Sequence, residues 1–425
     1  GRCFSSEKHM NLKLHQSKIH QKSSLAITGS KSETNRLLLL QSLFPDISLQ
    51  NTSDSDDSEV MAEALRLNPE SRALVPQIVD IRHAGTAMRF LTAYFAMQEN
   101  QEVVITGSPR MKERPIKILV EALRQLGAEI ACEEKEGFPP LRIKGKKLSL
   151  SQVSLPADVS SQYISALLLI APKLENGLQL ILEGEITSAP YIKMTLGLLN
   201  KIGAQACFTG NTITVEKLKM QEPKRITVES DWSSASYFYS IVALSETGTE
   251  ITLSSYRKDS LQGDSVLAEI YSCFGVETAF NDGNTITLTK THEARPQALG
   301  LNLNSAPDIA QTIAVTCFGL GISCHLSGLH TLKIKETDRL EALKTELQEL
   351  GAKILVTNDS LALEASSVIA RNQAVSTYSD HRMAMAFAPL ALKTDIIISD
   401  AEVVSKSFPN FWNDLSHIGF QIKQQ

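Results

Sequence analysis

The chain has 425 residues, 43% hydrophobic and 21% charged, with a formal net charge of -5. That acidity excludes general binding to a nucleic-acid backbone, which needs a basic surface, and no apolar run approaches the roughly 18 residues that span a bilayer. The length allows two or three domains with substantial cores. The cysteines (Cys3, Cys132, Cys207, Cys273, Cys317, Cys324) are scattered, without a C-x-x-C pair, and predict reduced thiols in a cytoplasmic protein with no metal site.

From the N-terminus, the first strong element is GSKSETNRLLLLQSL (29–43), a polar opening followed by leucines. It predicts a helix apolar nearly all round, hence buried, with a polar first turn whose N–H groups need partners. NTSDSDDSEV (51–60) reads as a turn and helix start, Asp57 and Glu59 suiting the positive end of the helix dipole. AGTAMRFLTAYFA (84–96) is a second buried helix, followed by strand-like EVVITG (102–107) and the basic segment SPRMKERPI (108–116). EALRQLGAEI (121–130) differs: it is leucine-rich and amphipathic, stops at a glycine and runs into a short β-like stretch. SSQYISALLLIAP (160–172), LQLILEG (178–184) and GLLNKIGAQACF (197–208) repeat the alternation of buried helix, strand and glycine-ended helix. It continues through SDWSSASYFYSIVAL (230–244), TEITLSS (249–255), IYSCFGVETAF (270–280), APDIAQTIAVTCFGLG (306–321), TELQELGAKILV (345–356), SDHRMAMAFAPLAL (379–392) and DLSHIGFQI (414–422).

The glycines that end the amphipathic helices, Gly127, Gly203, Gly275, Gly351 and Gly419, stand 76, 72, 76 and 68 residues apart. Such self-similarity predicts one supersecondary unit used about six times. The expected fold is α/β (of the α+β type), with two similar lobes of three βαβαββ repeats each, sheets enclosing buried helices. Crossings near residues 24–30 and 227–231 assign 1–28 plus 229–425 to the first lobe and 29–228 to the second. Converging helix starts would attract anions.

Lysine and arginine are concentrated in a few motifs of this acidic chain: GSKSETNR (Lys31, Arg36), SPRMKERPI (Arg110, Lys112, Arg114), KIKETDRL (Lys335, Arg339), YSDHRMAM (Arg382) and SKSFP (Lys406). Local positive charge of this kind predicts small, highly anionic ligands, with arginine giving bidentate recognition of carboxylate or phosphate. The G-x-x-x-x-G-K-[ST] spacing of a nucleotide-binding loop is absent. Read alone, Asp308 after Pro307 is a helix cap, as are Ser160 and Ser161.

The ordered set GSKSxxNR, AGTAMR, RMKERPI, SSQY, SASYF, PDxAxT, KETDRL, DHRMAM and KSFP resembles the enolpyruvylshikimate-phosphate synthase family from Gly29 to Pro409. The resemblance implies a two-lobed enolpyruvyl transferase fold with its active site in the cleft between the lobes. It implies transfer of the enolpyruvyl group of phosphoenolpyruvate to the 5-hydroxyl of shikimate 3-phosphate with release of phosphate. Neither metal nor other cofactor is expected, and a monomer is. By the same resemblance Lys31 contacts both substrates. Ser32, Arg36, Ser160, Ser161, Gln162, Ser188, Tyr191, Asp308 and Lys335 hold shikimate 3-phosphate. Gly85, Arg114, Gln162, Arg339, Arg382 and Lys406 surround phosphoenolpyruvate. Asp308 takes the proton of the attacking hydroxyl, and Glu336 or Lys31 delivers and removes the proton at C3.

The chain departs from the family's L-G-N-A-G-T, having Ile81, Arg82 and His83 before Ala84, and has Thr331 where an asparagine is common. Two other readings compete. The transferase acting on UDP-N-acetylglucosamine shares the chemistry but carries a reactive cysteine in the loop occupied here by SPRMKERPI, which has none. A non-catalytic anion-binding relative would have lost the charged set, yet Lys31, Asp308, Glu336 and Lys406 are present.

Overall fold

A computed structural model describes residues 10–67, 76–158, 160–184, 186, 189–294 and 296–425. The chain divides into two compact units, Gly29–Val228 and Gly1–Thr28 with Glu229–Gln425.

In the unit Gly29–Val228 the interior is made by three helices packed on one another, α1 (Lys31–Leu43), α2 (Gly85–Ala96) and α3 (Ser161–Ile170). Their leucines, phenylalanines and isoleucines point in every direction, so only a site covered on all sides hides them. Leu37, Leu40, Phe90, Leu91, Ile164 and Leu167 are all fully buried. Truncating one of these, for instance Leu167→Ala, costs about 2–5 kcal/mol through lost transfer energy and the cavity left behind.

Sheets cover these helices. One runs, in spatial order, Gln77–Asp80, Glu102–Thr106, Leu141–Lys144, Glu129–Cys132. The first pair is parallel and the others antiparallel, with Gln77 opposite Val103. A second has the same plan, from Gln152–Pro156 beside Leu178–Glu183 to Thr212–Val215 and Ala206–Thr209. The third is reduced, among the described residues, to the parallel pair Ile47–Gln50 and Lys224–Thr227. Those two strands come from opposite ends of the unit's sequence, so this repeat is closed only after the other two are complete.

The other unit also has buried helices: α4 (Trp232–Leu244), α5 (Ala310–Leu320) and α7 (His381–Phe387), with α5 packed on both others. The helix α6 (Arg339–Glu349) is amphipathic and lies against α5 and the strand Ile354–Val356. Three four-stranded sheets share the plan of a parallel pair followed by antiparallel strands. One is completed by Leu12–His15, which lies between Ile396–Ile398 and Gln421–Gln424. The five recurring glycines all have left-handed φ, between +79° and +120°. A side chain there would strain the turn that leads from helix to strand.

Candidate active site

In the unit Gly29–Val228, Lys31, Ser32, Gly85, Ser160, Ser161 and Gln162 stand at the starts of the buried helices. Ser30 caps α1, its Oγ accepting from the Glu33 N–H at 3.4 Å, which fixes Lys31 at the first helical position. Lys31 Nζ lies 3.1 Å from Asp57 Oδ2. The sequence reading gave Asp57 only a helix-dipole role; tertiary packing makes it the partner of Lys31, and nothing local links the two.

Arg36 lies farther along α1 and is buried. It donates to Thr195 Oγ1 at 2.8 Å, the Ser32 carbonyl at 2.8 Å and Ser165 Oγ at 3.3 Å. The rings of Phe90 and Tyr191 lie 5.3 Å and 6.0 Å from it. Among the described residues no carboxylate lies within ion-pair distance. Burial lowers its pKa to about 10, Tyr191 and Glu33 partly offsetting the effect. A buried guanidinium held by neutral acceptors is costly alone and is stabilised by an incoming anion.

Gly85 opens α2 directly against Arg114: a Cβ at Gly85 would lie 2.4 Å from an Arg114 Nη. Arg89, one turn later and buried, donates to the Gly85 carbonyl at 3.0 Å and the Pro115 carbonyl at 3.2 Å. Tyr163 Oη donates to that same Pro115 carbonyl at 2.6 Å. Arg89 therefore ties the Ala84–Gly85–Thr86 turn to the loop that carries Arg114. Burial, and then Arg114, lowers the Arg89 pKa to about 10. The motif reading contained Arg89 and gave it no role; an arginine inside so apolar a helix was the available signal. Ser160 caps α3, accepting from the Gln162 N–H at 3.3 Å, and Gln162 Nε2 donates to Thr86 Oγ1 at 3.1 Å. Ser161 is buried in the first turn of α3. Ser188 lies outside the described residues.

In the other unit six predicted residues join one network. Asp308 sits in a short 3-10 turn before α5, where Arg339 reaches its Oδ1 at 2.9 Å, Lys335 the same oxygen at 3.7 Å and Arg382 its Oδ2 at 3.4 Å. Its carboxylate thus faces cations, whereas the residues alone suggested a helix cap. Glu336 accepts from Arg339 at 2.6 Å and from Lys406 at 2.8 Å. Burial works against both charged carboxyls. For Asp308 it is outweighed by Lys335, Arg382 and Arg339, and for Glu336 by Arg339, Lys406 and His381, so both are held well below the usual carboxylate range.

Asp380 organises this network. It is fully buried, accepts from Arg339 Nε at 2.7 Å and caps α7 by accepting from the Arg382 N–H at 2.9 Å. Tyr378 and Ser379, just before it, both have φ +55°, and the Thr377 carbonyl accepts from the Asp380 N–H at 2.8 Å. This primed turn is built without glycine or asparagine and costs about 1–2 kcal/mol per residue. The Tyr237 hydroxyl, 3.5 Å from Arg382, is pushed up to about 12 by burial, against the effect of Arg382. Asp264, bonded to Ser233, is raised to about 7 by burial and then Asp308, opposed by Arg382 and Ser233. Asp380, Tyr237 and Asp264 have no role in the sequence reading; Asp380 lies within DHRMAM and Tyr237 within SASYF, and no motif includes Asp264.

The sequence description of the family "EPSP synthase (3-phosphoshikimate 1-carboxyvinyltransferase)" matches residues 16–415. The chain belongs to the EPSP synthase family. Curated relatives agree: a 3-phosphoshikimate 1-carboxyvinyltransferase of Bacteroides fragilis is 46% identical over 95% of this chain and 96% of that protein. One of Shewanella pealeana is 35% identical over 92% of this chain and 96% of its own length. The fold matches that of an EPSP synthase of Acinetobacter baumannii with TM-score 0.80 at 21% identity, over 98% of this chain and all of that one. As a member of the EPSP synthase family the chain is a transferase of the shikimate pathway, with fold class and chemistry as the motifs implied. No helix among the described residues is long and apolar enough to cross a membrane.

Proposed function

We propose that this chain moves the enolpyruvyl group of phosphoenolpyruvate onto the 5-hydroxyl of shikimate 3-phosphate, using the residues named above. The observation that carries the reading is the network of Asp308, Lys335, Glu336, Arg339, Arg382 and Lys406, six residues from four separated motifs with two carboxylates held ionised among four cations. The substrates each carry a carboxylate and a phosphate, and bringing them together out of water requires cations already in place.

Arg36, Ser32, Ser160, Ser161, Gln162, Ser188 and Tyr191, with Lys335, hold shikimate 3-phosphate, and Arg36 supplies charge to its phosphate. Arg114 beside Gly85, with Gln162, Arg339, Arg382 and Lys406, holds phosphoenolpyruvate. Lys31 serves both. The 5-hydroxyl attacks C2 as C3 gains a proton, giving a tetrahedral ketal phosphate; phosphate then leaves as C3 loses a proton.

Asp308 accepts the hydroxyl proton. In the free protein it is a weak base, because three cations stabilise its charge. Substrate anions that engage Lys335 and Arg382 reduce that stabilisation and raise its basicity when the hydroxyl arrives. Glu336 is ionised in the free protein and is set to take the C3 proton in the second step. Lys31 is the other group for the C3 proton. The reading also includes a monomer working in the cytoplasm.

The test is phosphate release on mixing the protein with both substrates, with Glu336→Gln followed in a single turnover. Release that needs both substrates, and a turnover slowed far more than binding, supports the reading. An unchanged single-turnover rate removes Glu336 from the chemistry.

A further inference from the structure

The turn that sets Asp380 and Arg382 is conformationally unfavourable, and something must hold it. Its two central residues, Tyr378 and Ser379, are left-handed and neither is glycine. Both are exposed, so core packing does not force their conformation. The holding group is on α6. Glu346 Oε1 accepts from the Tyr378 hydroxyl at 2.6 Å and Oε2 from the Ser376 N–H at 3.0 Å. Seven residues earlier on that helix, Arg339 grips Asp380. Two turns of helix put both side chains on one face, so a single rigid element holds the strained turn at its start and at its end.

Glu346 is only 4% exposed, and among the described residues no cation lies within ion-pair distance of it. Burying an ionisable carboxyl with only an amide and a phenol for partners is a poor way to gain stability, since an apolar residue would fill the space at less cost. We propose that Glu346 is a positioning residue for phosphoenolpyruvate recognition: through Tyr378 and Ser376 it fixes the left-handed turn that aims Asp380 and Arg382. The inference rests on the reading that Arg382 binds phosphoenolpyruvate.

The test is steady-state phosphate release with four variants, Glu346→Ala, Tyr378→Phe, Ser379→Gly in the Glu346→Ala background, and Arg382→Ala. Glu346→Ala removes both hydrogen bonds to the turn, and should raise KM for phosphoenolpyruvate by at least about tenfold and leave that for shikimate 3-phosphate within about twofold. Tyr378→Phe removes only a hydroxyl from an exposed ring, so it folds, and it should give a smaller rise of the same kind. Ser379→Gly relieves the backbone without restoring any contact to Glu346, and should recover at least half of the loss. An unchanged phosphoenolpyruvate KM in Glu346→Ala, equal rises for both substrates, or no recovery with Ser379→Gly overturns the proposal. Arg382→Ala separates the two readings. If it leaves the phosphoenolpyruvate KM unchanged, the reading of Arg382 fails and this inference falls with it. If it raises that KM while Glu346→Ala does not, only the role of Glu346 is rejected.

Discussion

Replacing Gly85 by alanine tests the proposed phosphoenolpyruvate site with a single methyl group. The added Cβ would stand 2.4 Å from one Nη of Arg114 and 3.0 Å from its Cζ and second Nη. Ordinary contact needs roughly 3.5 Å, so the guanidinium must retreat by about 1 Å. The obstacle is the end of a long, half-buried side chain, which can swing aside without disturbing the core. Stability should therefore change by less than about 0.5 kcal/mol. Catalysis is less forgiving, because a misplacement of about 1 Å in a binding group can cost up to ~10²-fold. Gly85→Ala should raise KM for phosphoenolpyruvate by about ten- to a hundredfold and leave KM for shikimate 3-phosphate nearly unchanged. Phosphate release at saturating shikimate 3-phosphate, with a thermal melt of each protein, measures both effects. A double-mutant cycle with Arg114→Ala should show that the two losses do not add. Unchanged phosphoenolpyruvate kinetics in a folded Gly85→Ala protein, or strictly additive losses, would refute the reasoning.

Arg36→Met should leave stability unchanged or raise it by about 1–2 kcal/mol, because it removes a buried cation that has no carboxylate partner among the described residues. The same change should raise KM for shikimate 3-phosphate by at least about a hundredfold; melts and kinetics on one preparation show both. Asp308→Asn should cost about 3–5 kcal/mol near neutral pH by leaving Lys335, Arg339 and Arg382 undercompensated. Since the folded state depresses the Asp308 pKa, its contribution is present above pH about 4 and is lost as pH falls below that; the gap in Tm should narrow in acid. Asp264 has the opposite sign, its pKa raised from 3.8 to about 7. Between those values the folded protein keeps a proton that the unfolded chain has lost, so this group makes stability fall as pH rises. The Tm advantage of Asp264→Asn should therefore grow from about pH 4 to 7 and level off above, and a flat difference across that range would count against it.

The sequence by itself determined the periodic features. All-apolar helices such as LLLLQSL and ISALLLI could only be buried, and the recurring Gly127, Gly203, Gly275, Gly351 and Gly419 marked left-handed helix ends. These are local properties of side-chain periodicity and backbone sterics, which a few neighbouring residues express in full. The family was legible as well, because its charged motifs are short and keep their order. Tertiary structure decided the partners. Asp57 meets Lys31 across 26 positions, Asp380 meets Arg339 across 41, and Glu346 reaches Tyr378 across 32. The reduction of one sheet to Ile47–Gln50 and Lys224–Thr227 likewise joins segments far apart in the chain. Ion pairing and burial depend on distance in space, and apart from the local pair of Glu336 with Arg339 the charge partners at the site are brought together only when separate elements pack.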